Sequence, residues 1–135
     1  MTRSAPAATE AAIRLFATFA RFEFALKEAG FVRADRSGSA LADWDRFTNL
    51  PRTEKIAAAI RHAAMAPELA NRPPKRQVAT GQSWEWQDVE AGDNANSLLR
   101  AIRRVRNNLF HGGKSGSDPR DDILCKEAVG CLLAL

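Results

Sequence analysis

Among the 135 residues, the run Arg106-Asn107-Asn108-Leu109-Phe110-His111 has the types and spacing that could do chemistry. An arginine and a histidine five residues apart offer a phosphate-gripping cation and a proton carrier. Histidine, with an ordinary pKa near 6.5, suits proton transfer at neutral pH. Arginine grips nonbridging phosphate oxygens through a planar fork. His111 stands where a helix is about to stop at Gly112-Gly113, a place that leaves its side chain accessible. The other histidine, His62, lies in an Ala-rich helix with no such neighbours and reads as a surface residue. The spacing of Arg106 and His111 alone is a weak signal in an arginine-rich chain.

Helical-wheel placement at 100° per residue singles out two charges on apolar faces. In the helix expected from about Thr9 to Ala29, with Gly30 as its stop, Leu15, Phe16, Phe19, Phe22 and Leu26 share an apolar arc. Glu23 falls in the middle of that arc and Lys27 at its edge. In a helix expected from about Asn94 to Phe110, the core stripe is Leu98, Ile102, Val105 and Leu109, with Leu99 and Phe110 beside it. Arg106 falls between those groups, while Arg100, Arg103 and Arg104 face away. An unpartnered charge at an apolar interface costs several kcal/mol. Glu23 and Arg106 are therefore expected to meet, or both to line a cleft or subunit interface. Such a pair could be a purely structural clamp, or it could hold the guanidinium in place for phosphate.

Arg-Asn-Asn-Leu-Phe-His-Gly-Gly-Lys at 106–114, closing a helix in a small helical protein, resembles the bacterial branch of the HEPN superfamily. The family's mark is Arg, four to six residues, then His, often with a polar residue after the Arg; Arg106, Asn107 and His111 match it. Phe22-Glu23-Phe24-Ala25-Leu26-Lys27 also looks like this group, whose N-terminal acidic residue commonly approaches the motif. The resemblance covers most of the chain by helix order, but not the segment 71–93. It implies a metal-independent endoribonuclease of a toxin–antitoxin or defence system. Its partners would be RNA, a second copy of the chain, and an antitoxin or other defence protein. Arg106, His111 and Asn107 would be catalytic, Asn107 orienting phosphate or ribose, with Glu23, Lys27, Arg103 and Lys114 in support. One chain offers one such His, so two motifs across a twofold axis would supply both acid and base. The alternative is a non-catalytic HEPN module that dimerises or binds a nucleotide or partner protein. A duplex-DNA reader is disfavoured, because no groove-reading helix stands out.

The remaining elements follow from punctuation and composition. A linker rich in Arg, Ser and Gly precedes a short helical piece around Leu41 to Leu50. A helix from about Thr53 to Leu69 ends before Pro73-Pro74. Residues 71–93 are expected to form a long loop, with a basic run at 72–76 and Trp84-Glu85-Trp86 pinning it to the core or, alternatively, stacking on bases. Asp118-Pro119 should cap a last helix running to Leu135. The expected architecture is a single all-α domain over residues 1–135, an HEPN-like bundle of four to five helices.

Fifteen arginines against five lysines, with a net charge of +4, lean towards phosphate recognition, although high-GC coding produces the same excess. Cys125 and Cys131 share the last helix with Cα atoms roughly 9 Å apart, too far to bridge. Free thiols fit a reducing cytoplasm. No CxxC pair or other metal-ligand spacing occurs, so no metal and no cofactor are expected. Charges interrupt every apolar stretch, so neither a signal core nor a membrane span is expected, and the location inferred is cytoplasmic.

Overall fold

A computed structural model describes residues 9–110 and 119–135. Helix α1 (Glu10–Glu28) begins where Thr9 accepts a hydrogen bond from the Ala12 N–H at 3.2 Å. It stops at Gly30, whose φ of +93° is the left-handed conformation that ends a helix at little cost to glycine. Strands β1 (Val32–Ala34) and β2 (Ala40–Ala42) form an antiparallel hairpin. Its turn is tied by Asp35, which accepts from the Ser37 and Ser39 N–H groups at 2.9 Å each. Helix α2 (Trp44–Thr48) is capped by Asp43 and α3 (Pro51–His62) opens on Pro51. Then come α4 (Pro67–Asn71), a hairpin of β3 (Arg76–Thr80) and β4 (Ser83–Gln87), α5 (Ala95–Phe110) and α6 (Pro119–Ala134).

Buried apolar residues from all six helices form one cluster, centred on Leu15, Ile60, Leu69, Leu98, Leu99, Ile102 and Leu132. Helix α1 packs along α6, and α5 touches every other helix. The α5 stripe of Leu98, Leu99, Ala101, Ile102 and Val105 is buried, as the wheel requires. Its N-terminus is fixed by α3: the Glu54 carboxylate accepts from the Ala95 N–H at 3.1 Å, and Arg61 Nη2 donates to the Asn94 carbonyl at 2.6 Å. The last helix starts at Pro119; the expected cap, Asp118, lies outside the described residues.

The all-α expectation is corrected. The fold is mixed: the described residues form six helices with two small two-stranded antiparallel sheets, rather than a bundle of four to five helices. The expected loop at 71–93 holds the longer hairpin. Its signal was present: Val78, Thr80, Trp84 and Trp86 flank Gly81, and Trp84-Glu85-Trp86 alternates with period two. Gly81 takes φ +72° in the turn. The β1–β2 strands are three residues each and mostly exposed, too short for alternation to register. The helix expected from Thr53 to Leu69 is two helices. Ala64 breaks it at φ +51°, with the Met65 N–H returning to the Ile60 carbonyl at 3.1 Å. A non-glycine residue in that conformation lies outside what propensity predicts.

Candidate functional site

An aromatic stack organises the surface where α1, α2 and α5 meet. Trp44, buried at the start of α2, stacks against Phe19 and Phe22 of α1, ring centroids 5.3 Å away in each case. The Arg103 guanidinium lies over the Trp44 ring at 5.3 Å. One turn on, Arg106 lies over Phe19 at 5.3 Å and over Phe110 at 4.3 Å. Phe110 closes the corner edge-on to Phe16 at 6.3 Å. Helices α1 and α5 thus run antiparallel, with α5 arginines seated on α1 and α2 rings.

The expected Glu23–Arg106 meeting does not occur. Glu23 Oε2 accepts from the Trp44 indole N–H at 2.8 Å, so the carboxylate on the apolar arc is satisfied by a buried aromatic donor. Arg106 meets the cost of its apolar position by cation–π contact, and its Nη1 donates to Asn107 Oδ1 at 3.1 Å. That is its one hydrogen bond among the described residues, although a guanidinium carries five donors. Two rings and one side-chain amide are its partners among the described residues, so most of its donors are uncommitted there. The physical reason for the mispairing is simple: a wheel shows that a charge needs a partner but does not say which, and Trp44 is remote in sequence.

The other expected site residues divide clearly. Asn107 is exposed beside Arg106. Lys27 is exposed at the far end of α1, eight residues or roughly 12 Å along the helix from Phe19, and does not join Arg106. His111 and Lys114 lie outside the described residues. Arg103 and Arg104 are half-buried rather than facing away into solvent, because α2 and β3 cover that side of α5.

Between β3 and the outer face of α5 lies a cleft of about 540 Å³, lined by Arg76, Gln77, Arg100, Arg103, Arg104, Asp45, Asn107 and Asn108. Four arginines meet one carboxylate there. Among the described residues no ion pair joins any of the four to an acid. Burial pushes the Arg104 pKa down, and the neighbouring Arg76 and Arg100 charges push it the same way. Burial also lowers that of Arg103, opposed chiefly by the Asp45 and Glu23 charges. Buried Asn108, absent from the expected site, donates from Nδ2 to the Lys75 carbonyl at 2.9 Å and fixes the hairpin to α5. Its sequence signal was a polar residue on the apolar stripe next to Val105 and Leu109.

Cys125 and Cys131 are free and buried, their thiols pushed up to about 12 and about 11, chiefly by burial, which disfavours the thiolate a nucleophile needs. Among the described residues no group of three or more His, Cys, Asp or Glu is placed to hold a metal ion, and no helix is long and apolar enough to cross a membrane. Compared with protein-family models, curated proteins and solved structures, the chain matches none.

Proposed function

We propose that the protein is an HEPN-like endoribonuclease that cleaves RNA without a metal, through Arg106 and His111 of two copies facing each other in a dimer. The observation that carries this reading is the setting of Arg106. Its guanidinium lies over two phenyl rings with one hydrogen bond to Asn107 among the described residues, and it lies on the same helix as an arginine-lined cleft. A rigid fork with donors to spare next to unneutralised positive charge favours a phosphodiester over a neutral ligand.

In the proposed reaction one His111 takes the 2′-hydroxyl proton and the 2′-oxygen attacks phosphorus. The P–O5′ bond breaks, and the second copy's imidazolium protonates the departing oxygen. The products are a 2′,3′-cyclic phosphate and a 5′-hydroxyl. Arg106 stabilises the charge on the nonbridging oxygens, and Asn107 orients the phosphate or ribose.

The test is incubation of mixed RNA with excess EDTA. Wild type should leave 2′,3′-cyclic ends. His111→Ala should cut slower by about a hundredfold or more while still dimeric by light scattering, and Arg106→Lys, which keeps the charge but loses the fork, should lose most activity. Equal cutting by wild type and His111→Ala overturns the reading, as does activity that needs Mg²⁺. No cutting of any RNA by a dimer that still binds a nucleotide or a partner protein leaves the non-catalytic module in its place.

A further inference from the structure

The arginine cleft is larger than one scissile phosphate requires, and its charge is arranged along a helix rather than gathered at a point. Arg100, Arg103 and Arg104 cover one flank of α5, and Arg76 approaches from β3 across the gap. Like charges brought this close repel, and a fold that needed only solubility would spread or pair them. A chain of phosphates would relieve that repulsion.

The hairpin adds a second chemistry. Gln77 lines the same cleft, and its side-chain nitrogen is shielded from solvent with no hydrogen-bond partner among the described residues. A shielded donor without an acceptor costs stability unless a ligand supplies one. Gln77 pairs with Trp86 and Ala79 with Trp84, so both tryptophans lie on the Gln77 face of the hairpin. Trp84 is 52% exposed, with its ring edge-on to Trp86 at 5.3 Å. An exposed indole on a strand beside a phosphate-binding flank is the combination by which single strands are held: backbone on cations, bases on rings.

We infer that the cleft between α5 and the β3–β4 hairpin is a binding track for single-stranded RNA, with Arg76, Arg100, Arg103 and Arg104 on the phosphates, Gln77 on a polar edge and Trp84 stacking on a base. The choice of RNA over DNA rests on the ribonuclease reading. The track itself needs neither His111 nor cleavage.

The test uses a fluorescent twelve-nucleotide 2′-O-methyl RNA, which lacks the attacking hydroxyl and so reports binding alone, followed by anisotropy across a salt series. Each phosphate contact on a single strand contributes about −0.7 to the slope of log affinity against log salt, so the four arginines should give roughly −2 to −3. Arg100→Gln with Arg104→Gln should weaken binding more than tenfold and flatten the slope by about 1 to 1.5. Arg76→Gln, at an exposed strand position, should act in the same direction should the double variant fold poorly. Trp84→Ala should weaken binding about tenfold to a hundredfold, and Trp84→Phe should restore much of it. The charge control is Arg52→Gln with Lys126→Gln, outside the cleft, which should change affinity by less than about threefold.

Equal weakening by that control overturns the track, because net charge alone would then explain binding. Tighter binding of duplex RNA, unaffected by Trp84→Ala, overturns it as well. If the cleft binds the oligonucleotide but natural RNA is never cut, the ribonuclease reading fails and the track stands. If RNA is cut while the cleft variants bind and cut like wild type, the track fails and the ribonuclease stands.

Discussion

Arginines sit in two different settings at two places in this molecule. Where α4 meets α6, Arg72 and Arg120 share the Glu68 carboxylate at 3.6 and 3.5 Å, and Arg120 also donates to the Arg72 carbonyl. Nearby, Glu127 accepts from the Glu68 and Leu69 N–H groups at 3.4 and 2.9 Å, doing for α4 what its own N-cap, Ala66, cannot. There Glu68 meets two cations and Glu127 meets two backbone N–H groups. In the α5–hairpin cleft, four arginines line the wall with one carboxylate, Asp45, and among the described residues none of them forms an ion pair. Arginines paired with a carboxylate hold elements together, whereas like charges crowded without a counter-charge repel and work against the fold.

Glu127→Ala should give the largest stability change, since it strips the helix start of α4 of both its acceptors. A loss of about 1–2 kcal/mol is expected by urea unfolding, with RNA binding unaltered. If binding falls as well, the two regions are coupled and the contrast between them collapses.

Arg104→Gln should have a smaller effect on stability and in the opposite sense. Removing a half-buried cation whose neighbours are Arg76 and Arg100 should leave the unfolding free energy unchanged or raise it by up to about 1 kcal/mol. A loss beyond 1 kcal/mol would mean that Arg104 is structural, like Arg72 and Arg120.

The smallest expected effect concerns a charge satisfied entirely by local donors. The Ser37 hydroxyl, chiefly, and the backbone N–H groups of the β1–β2 turn hold the Asp35 carboxyl below its ordinary value of 3.8. A depressed carboxyl stabilises the folded turn above its unfolded pKa, and that contribution is lost as pH falls through the lower folded value. Below pH 4 the Ser37 and Ser39 amide resonances should therefore shift towards random-coil positions while α5 resonances hold. Early loss of α5 signals would show that acid acts on the cleft side first.

Much of the helical framework was legible because periodicity and punctuation are local. Thr9 and Gly30 bound α1 within a residue or so of the expected limits, and the α5 stripe is the buried one. The hairpins were less legible. Three-residue strands have too few positions to alternate, and Trp84-Glu85-Trp86 sits within a polar, proline-preceded stretch that resembles loop. The break at Ala64 was illegible, since a run of alanines favours helix and only the packing of α4 demands a left-handed residue there.

By itself, the sequence determined that Glu23 and Arg106 each required company, because 100° periodicity puts a charge on an apolar face whatever the rest of the chain does. Only the tertiary structure decided the company. Trp44 reached Glu23, Phe19 and Phe110 reached Arg106, and β3 came back across α5 to set Arg76 opposite Arg100, Arg103 and Arg104. Apart from Phe110, one helical turn from Arg106, those partners are far apart in sequence, and a long-range contact is chosen by the packing of the whole core rather than by any local rule.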